Sequence, residues 1–296
     1  MKYFHIDYSH LKKWYLDLLP PADCDLLCSI AAHPQNRFVF SSTLVAEIVQ
    51  QQDVKKALDI GTFLAKLPYV WFRDAWDLVE RELDCALAAF EKNRAMQATP
   101  FVPDYRDTLQ GIDDLDFYMW LNGRSIGEIV QLFLEKHAVH KKLITQHKQE
   151  ERRIGERGQL DRELVLKATP KARFRDEAIS NLTRSRVRSV DRLCTDDPRR
   201  RMTEQLQGHP EWAPAFWLMF HTRLEWFRNR NHRLDSSVIG DLTQLAAAPY
   251  VNGFVGDSHT VDYALRAIRR IAEPSDIRRR LIETIFSSVS GLNNKT

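Results

Sequence analysis

The sequence predicts an α/β protein in which both ends of the chain contribute to one parallel sheet flanked by helices. Near each end, short apolar runs are followed by helical segments, the alternation expected of parallel strands joined by crossover helices. The middle of the chain has helical periodicity and no convincing strand. We therefore predict a discontinuous sheet domain at residues 1–73 and 230–296 and a large all-helical insertion at residues 74–229.

Three runs near the N-terminus have the composition of buried strands. They are Lys2–Ile6 (KYFHI), residues 37–40 (RFVF) and residues 67–72 (LPYVWF). Asp7 directly follows the first run. The second run is followed by two serines and then by a helix that contains Glu47. Both acids are therefore expected near the carboxyl ends of their strands.

Helical patterns dominate the next part of the chain. Residues 49–64 are predicted to continue the helix of Glu47, and residues 75–96 form an amphipathic helix. A capping box at residues 125–128 opens a further helix. Residues 100–116, which carry two prolines and a glycine, are predicted to be a loop. The dense aromatic residues at 211–227 indicate packing between helices more than a base-stacking platform.

The C-terminal segment repeats the pattern of a strand followed by an aspartate. A helix carrying Asp241 is followed by a turn at Pro249 and Tyr250, and then by an apolar strand that runs into Asp257. Asp241 lies on the flank of the apolar stripe of its helix, so we expect its carboxylate to face the domain. Asp235 precedes the same helix and is expected to cap it or to lie at the rim.

Four carboxylates are thus predicted to meet at one edge of the sheet, those of Asp7, Glu47, Asp241 and Asp257. Open α/β sheets bind their ligands at the carboxyl ends of the strands. Each acid alone has a structural explanation, but like charges that lie close together repel unless protons or cations neutralise them. Hard oxygen ligands suit Mg²⁺ or Mn²⁺, and two such ions can activate water for hydrolysis of a phosphodiester.

The composition is that of an ordinary soluble protein of one or two domains, with 296 residues, 44% apolar and 28% charged. No run approaches the ~18 apolar residues that indicate a membrane span, and the N-terminus lacks the apolar segment of a signal peptide. The four cysteines are too few and too dispersed for a disulfide framework or a four-thiolate zinc site. A cytoplasmic protein without a membrane partner is the expectation.

The net charge of +3 is small, but the basic residues are unevenly distributed. Arg228, Arg230 and Arg233 immediately precede the acidic C-terminal segment, and residues 171–201 are rich in lysine and arginine. Because such stretches can follow a phosphate backbone, we expect the three arginines to contact nucleic acid. A solvated helix face is the alternative, above all for residues 171–201.

The order of these segments resembles the PIN-like nucleases. The matching motifs are Asp7 after the first strand, FSSTLVAE ending at Glu47, DLTQLAAAPY starting at Asp241, and VNGFVGD ending at Asp257. The chain looks most like the larger bacterial PIN-like proteins with a helical insertion. The resemblance covers under half of the sequence and leaves the middle unmatched.

The resemblance implies a PIN-like fold and a metal-dependent endoribonuclease acting on single-stranded or structured RNA. The same four acids would be the catalytic and metal-binding residues, and the protein would be a toxin or an antiviral effector controlled by an inhibitory or activating protein partner. The alternative is a non-catalytic PIN-like scaffold or RNA-binding protein. Two positions depart from the family pattern. Tyr8, followed by Ser9, stands where many members have a small hydroxyl residue, and Gly256 stands where threonine or asparagine is frequent.

Overall fold

The computed structural model confirms the α/β class: a six-stranded, mostly parallel sheet is flanked by helices. It describes residues 1–92, 98–109, 121–136, 210–229, 236–271 and 276–295. Among the helices in these ranges, none combines the length and the apolar composition needed to cross a membrane.

The sheet has the strand order β4-β3-β2-β1-β5-β6. The strands are β1 (Lys2–Ile6), β2 (Asn36–Phe40), β3 (Tyr69–Phe72), β4 (Phe101–Val102), β5 (Gly253–Val255) and β6 (Ile285–Phe286). All neighbours are parallel except β3 and β4. The two chain ends meet at the centre of the sheet, because β1 lies between β2 and β5.

Ten helices accompany the sheet in the described part of the chain. They are α1 (Tyr8–Tyr15), α2 (Pro21–Ala32), α3 (Ser42–Val49), α4 (Val54–Leu64), α5 (Ala75–Lys92), α6 (Ile126–Glu135), α7 (Pro214–Arg228), α8 (Ser236–Leu245), α9 (Ser258–Ile268) and α10 (Asp276–Thr284). Short 3-10 helices occur at Tyr105–Thr108, Ala248–Tyr250 and Val289–Asn294.

Side-chain alternation along the strands divides these helices into two layers. In β2, Phe38 and Phe40 pack on one side of the sheet and Val39 on the other. Helices α1 to α4 and α6 form the first layer with Phe38 and Phe40. Helices α5 and α7 to α10 form the second layer with Val39. The sheet therefore lies between two helical layers, each with its own apolar core.

The described parts of residues 74–229 pack on both faces of this sheet. Helix α6 approaches α4 closely at two glycines, since a Cβ on Gly127 would lie 3.3 Å from the carbonyl oxygen of Gly61. Helix α7 packs along α9 in the second layer. The remaining residues of the predicted insertion lie outside the described ranges.

Two local predictions were wrong. The helix of Glu47 does not continue to residue 64, because α3 ends at Val49 and the side chain of Asp53 accepts a hydrogen bond from Lys56 N to start α4. The segment 100–116, predicted as loop, contributes the edge strand β4. A two-residue strand next to prolines leaves no alternating pattern, and prolines are tolerated at a sheet edge.

Two other predictions are confirmed. Ser125 and Glu128 form the capping box of α6, with each side chain bonded to the other residue's backbone nitrogen. The aromatic residues of α7, including Phe216 and Trp217, are buried in the core of the second layer.

The beginning of α7 is held by a buried acid from another helix. The carboxylate of Glu82, in α5, accepts hydrogen bonds from the backbone nitrogens of Ala215 (2.9 Å) and Phe216 (2.8 Å). It also accepts one from the hydroxyl of Tyr250, in the 3-10 turn before β5. Burial raises the pKa of Glu82 to about 7, although all three hydrogen bonds favour its charged form.

Candidate active site

Asp7 and Asp257 occupy equivalent places, each one capping the helix that follows its strand. Oδ2 of Asp7 accepts hydrogen bonds from the backbone nitrogen (2.9 Å) and the hydroxyl of Ser9. Oδ2 of Asp257 accepts from the backbone nitrogens of His259 (2.8 Å) and Thr260 (3.3 Å). The described part of the chain provides no hydrogen bond to Oδ1 of either aspartate. Each residue therefore caps a helix with one carboxylate oxygen, Oδ2.

The two aspartates also lie where the helices diverge to opposite faces of the sheet. Strands β1 and β5 are parallel neighbours, with Ile6 opposite Val255, and the backbone nitrogen of Asp7 donates to the carbonyl of Val255 at 2.9 Å. Helix α1 then joins the first layer, whereas α9 joins the second. Such a switch point opens a crevice at the carboxyl ends of the strands, where α/β sheets bind ligands.

Asp241 is linked to this pair through Thr260. The hydroxyl of Thr260 donates to Oδ2 of Asp241 at 3.2 Å, while its backbone nitrogen donates to Asp257. Thr260 is buried, and both of these hydrogen bonds are partly buried. Thr260 thereby holds Asp241, in α8, beside Asp257, the cap of α9.

Glu47 reaches the same region from the first layer. The amide nitrogen of the buried Gln244 donates to Oε1 of Glu47 at 3.2 Å. Gln244 lies three residues after Asp241, on the same side of α8. The hydroxyls of Thr43 and Thr243 lie 3.5 Å apart and join the same two helices. Contacts across α3 and α8 thus bring Glu47 towards Asp241.

Neighbouring contacts therefore connect all four predicted acids at one edge of the sheet. As the side chains stand, the described residues contain no group of three or more His, Cys, Asp or Glu side chains close enough to hold a metal ion. Hydrogen bonds from Gln244 and Thr260 hold two of these carboxylates, those of Glu47 and Asp241.

Two histidines lie beside the acids. His5, in β1, stacks on Phe254 with 4.9 Å between ring centroids, and burial lowers its pKa to about 4 although the charge of Asp7 opposes this shift. His10 is half-buried, with Nδ1 3.3 Å from the hydroxyl of Ser9. Burial also lowers the pKa of His10, against the raising effect of Asp7. Both imidazoles are therefore neutral at pH 7.

The two departures from the PIN-like pattern have local explanations. Ser9, one residue later than in the family, supplies the hydroxyl that bonds Asp7. Gly256 has no room for a side chain, because an added Cβ would lie 2.6 Å from the ring of Phe254. Phe254 is buried and stacked on His5, so this ring has little freedom to move.

The basic residues predicted to bind nucleic acid fall mostly outside the described ranges. Arg228 is the last residue of α7. Arg230, Arg233, Asp235 and residues 171–201 lie outside the described residues. Their roles remain predictions.

Sequence reasoning missed three residues of this edge. Thr260 and Gln244 became visible only through their bonds to the acids. Asp74 follows β3 and caps α5 by accepting hydrogen bonds from Trp76 N and Asp77 N. The strand-then-aspartate pattern was available for Asp74 in the sequence. Its strand lies two places from β1 in the sheet.

The site thus places carboxylate oxygens, which are hard donors, and two histidines at a switch point on the carboxyl edge of the sheet. No protein-family model, no curated protein and no solved structure matches this chain, so membership of the PIN-like nucleases remains a prediction from its motifs.

Proposed function

We propose that the chain is a metal-dependent endoribonuclease that uses the acids at the carboxyl edge of β1 and β5. One observation carries the proposal. Asp7 and Asp257 lie at the switch point with Oδ1 of each side chain directed to no hydrogen-bond donor of the described chain, and contacts link both to Asp241 and Glu47. Capping a helix does not require a charged side chain, since asparagine caps equally well.

The donor set fits Mg²⁺ or Mn²⁺ in its chemistry, because all four side chains offer carboxylate oxygens. Binding one ion by three of these acids requires side-chain rotation from their present positions. For Asp241 this rotation would release the hydroxyl of Thr260. When bound, divalent ions would activate water and stabilise the leaving oxygen of a phosphodiester.

The chain's own residues would provide positioning and an electrostatic environment. The helix caps fix the backbones of Asp7 and Asp257, and the β1–β5 pairing fixes their spacing. Neutral His5 and His10 add no positive charge that would compete with a cation. RNA as the substrate, and control by a protein partner as in a toxin or antiviral effector, follow from the family resemblance.

A non-catalytic scaffold or RNA-binding protein is the second candidate. It is favoured by the observation that no three metal-ligating side chains of the described residues converge as they stand. In that case the aspartates would serve as helix caps alone.

Two matched substitutions distinguish these functions. Asp7→Asn and Asp257→Asn keep the capping bonds and remove the charge, whereas Asp53→Asn makes the same change at the cap of α4. The assay uses labelled single-stranded RNA, hairpin RNA and single-stranded DNA, with and without EDTA. We expect wild type and Asp53→Asn to cleave RNA, EDTA to stop the reaction, and both site variants to lose most of the activity while folding normally.

Other outcomes contradict the proposal in different ways. Equal cleavage by wild type and both site variants would identify a contaminating nuclease. RNA binding without cleavage by any variant would support the scaffold. If no substrate is cleaved or bound, calorimetry with Mn²⁺ decides, because a wild type that binds no more tightly than Asp257→Asn has no metal site there.

A further inference from the structure

Among the described residues, the buried hydroxyl of Tyr8 has no hydrogen-bond partner. Tyr8 is the first residue of α1 and directly follows Asp7. Its side chain is 8% exposed, and its oxygen makes no hydrogen bond to the described residues. Leaving a buried hydroxyl unsatisfied costs about 1–3 kcal/mol. A partner is therefore expected in the working protein, among groups that can approach this oxygen.

Contacts of Lys12 connect the ring of Tyr8 to the residues at the end of α3. Lys12, one turn later in α1, places its Nζ 5.8 Å from the centre of the Tyr8 ring and donates to Oε1 of Gln51 at 2.7 Å. Gln51 in turn donates to the backbone carbonyl of Glu47 at 3.2 Å. The charge of Glu47 adds to burial in raising the pKa of Tyr8.

We propose that Tyr8 is a positioning residue for Glu47, and that its hydroxyl donates a hydrogen bond to one ordered water, which in turn donates to the Glu47 carboxylate. The inference rests on the proposed function, in which Glu47 is a metal-binding acid. Gln244 already donates to Oε1 of Glu47 from the other helical layer. A second donor, the water held by Tyr8, would fix the plane of the carboxylate and direct it towards the crevice of Asp7.

The hydroxyl that donates to Asp7 is that of Ser9, and the Tyr8 hydroxyl makes no bond to this acid. Groups that orient a metal-binding side chain in this way typically change metal affinity or activity about 10–100-fold when they are removed.

A double-mutant cycle on stability tests the contact without any assay of activity. The variants are Tyr8→Phe, Glu47→Met and the pair, with Tyr105→Phe as the control, a buried tyrosine whose ring contacts Trp71 and Phe133. If the hydroxyl bonds Glu47 through this water, Tyr8→Phe should lower the unfolding midpoint by about 2–4 °C in the wild-type background. The shift should vanish in the Glu47→Met background. Equal shifts in both backgrounds would overturn the contact.

Calorimetry with Mn²⁺ tests the positioning role. We expect Tyr8→Phe to bind Mn²⁺ about 10-fold more weakly than wild type, and Tyr105→Phe to bind as wild type does. On RNA, kcat should fall while KM is unchanged. If Tyr8→Phe binds Mn²⁺ as tightly as wild type does, the hydroxyl has only a structural role. That result would overturn the inference, while the proposed function would stand. A wild type that binds no Mn²⁺ would overturn both, even if the stability cycle shows the contact.

Discussion

At the residue scale, the two carboxylate oxygens of Asp7 and of Asp257 differ in their contacts. Oδ2 in each side chain holds the first turn of a helix, and Oδ1 faces no donor of the described chain. Capping alone does not require the charge, because asparagine caps helices equally well. The charge is the property that a cation site uses. Asparagine variants at these positions therefore test ligand binding while leaving the helices intact.

Gly256 limits what can precede the last aspartate. We expect Gly256→Ala to destabilise the fold by about 1–3 kcal/mol, since overpacking forces buried neighbours to shift. The new Cβ would lie 2.6 Å from Cε1 of Phe254 and 3.4 Å from Cγ2 of Val261. Urea unfolding at fixed pH measures the change.

Gly240→Ala provides the control for this substitution. Gly240 lies inside α8 beside Asp241, and among the described residues a Cβ there would meet only Thr43, at an ordinary 4.0 Å. Alanine should therefore stabilise the helix by up to about 1 kcal/mol. Similar effects of the two substitutions would contradict the packing explanation for Gly256.

At the element scale, α7 connects the buried acid Glu82 to the helices of the site. Its first turn is fixed by Glu82 of α5 and, through the same carboxyl, by Tyr250. Its last turn is tied to the residues just after α9 by the ion pair of Glu225 and Arg270, at 2.7 Å. Helices α8 and α9 both pack on α7. The contacts at the two ends of α7 therefore support the helix that contains Asp241 and the helix that Asp257 caps.

Glu82 should make stability depend on pH. Its pKa is about 7 in the folded protein and near the ordinary 4.5 when unfolded, so between these values the folded state holds more protons. Stability from this group is therefore present below pH ~4.5 and is lost as pH rises to ~7, by at most about 3 kcal/mol. Above pH 7 the group contributes no further change.

Glu82→Gln checks this pH dependence. Glutamine does not ionise, and its amide can both accept from the start of α7 and donate to Tyr250. Compared by urea unfolding from pH 5 to pH 8, the variant should match wild type at low pH and become the more stable protein at high pH. Parallel stability curves would show that Glu82 does not titrate in this range.

At the scale of the whole molecule, each helical layer contributes two of the four acids. Asp7 and Glu47 belong to elements of the first layer, and Asp241 and Asp257 to elements of the second. The bond between Gln244 and Glu47 crosses from one layer to the other. The geometry of the site is therefore set by how the two layers meet at the sheet edge.

The sequence predicts the parts of this arrangement that depend on local patterns. Strand β1, the capping box of Ser125 and the strand before Asp257 follow from composition and spacing. Strand β4 escapes detection because two residues at a sheet edge carry no alternation. Glu82 was missed as a buried acid, although it lies three residues after Val79 on the apolar face of α5.

The acids' partners depend on tertiary contacts and not on sequence pattern. Thr260 occupies an ordinary place in the first turn of α9, and Gln244 is one polar residue among several in α8. Their function as donors to Asp241 and Glu47 exists only when α3, α8 and α9 are packed together.

Electrostatic attraction of nucleic acid should involve the basic segment after α7. Replacing Arg228, Arg230 and Arg233 by glutamine should weaken RNA binding and flatten the plot of log affinity against log salt, by about 0.7 for each lost contact with single-stranded RNA. Fluorescence anisotropy over a salt series measures the slope.

The control variant removes three positive charges from another part of the protein. Arg266, Arg269 and Arg279 are exposed on α9 and α10, and glutamine at these three positions changes the net charge equally. The slope should then stay close to that of wild type. Equal flattening by both sets would assign the effect to net charge and return the first three arginines to the solvated-surface explanation.

The central position of β1 has a consequence for synthesis on the ribosome. Tyr3 N donates to Asn252 across 249 residues of sequence, so one edge of β1 stays unpaired until β5 has been synthesised. At about 5–20 residues per second this interval lasts roughly 10–50 s, during which an apolar strand edge is open to other chains. The same delay keeps Asp257 apart from Asp7, so the four acids cannot come together before Asp257 has been synthesised.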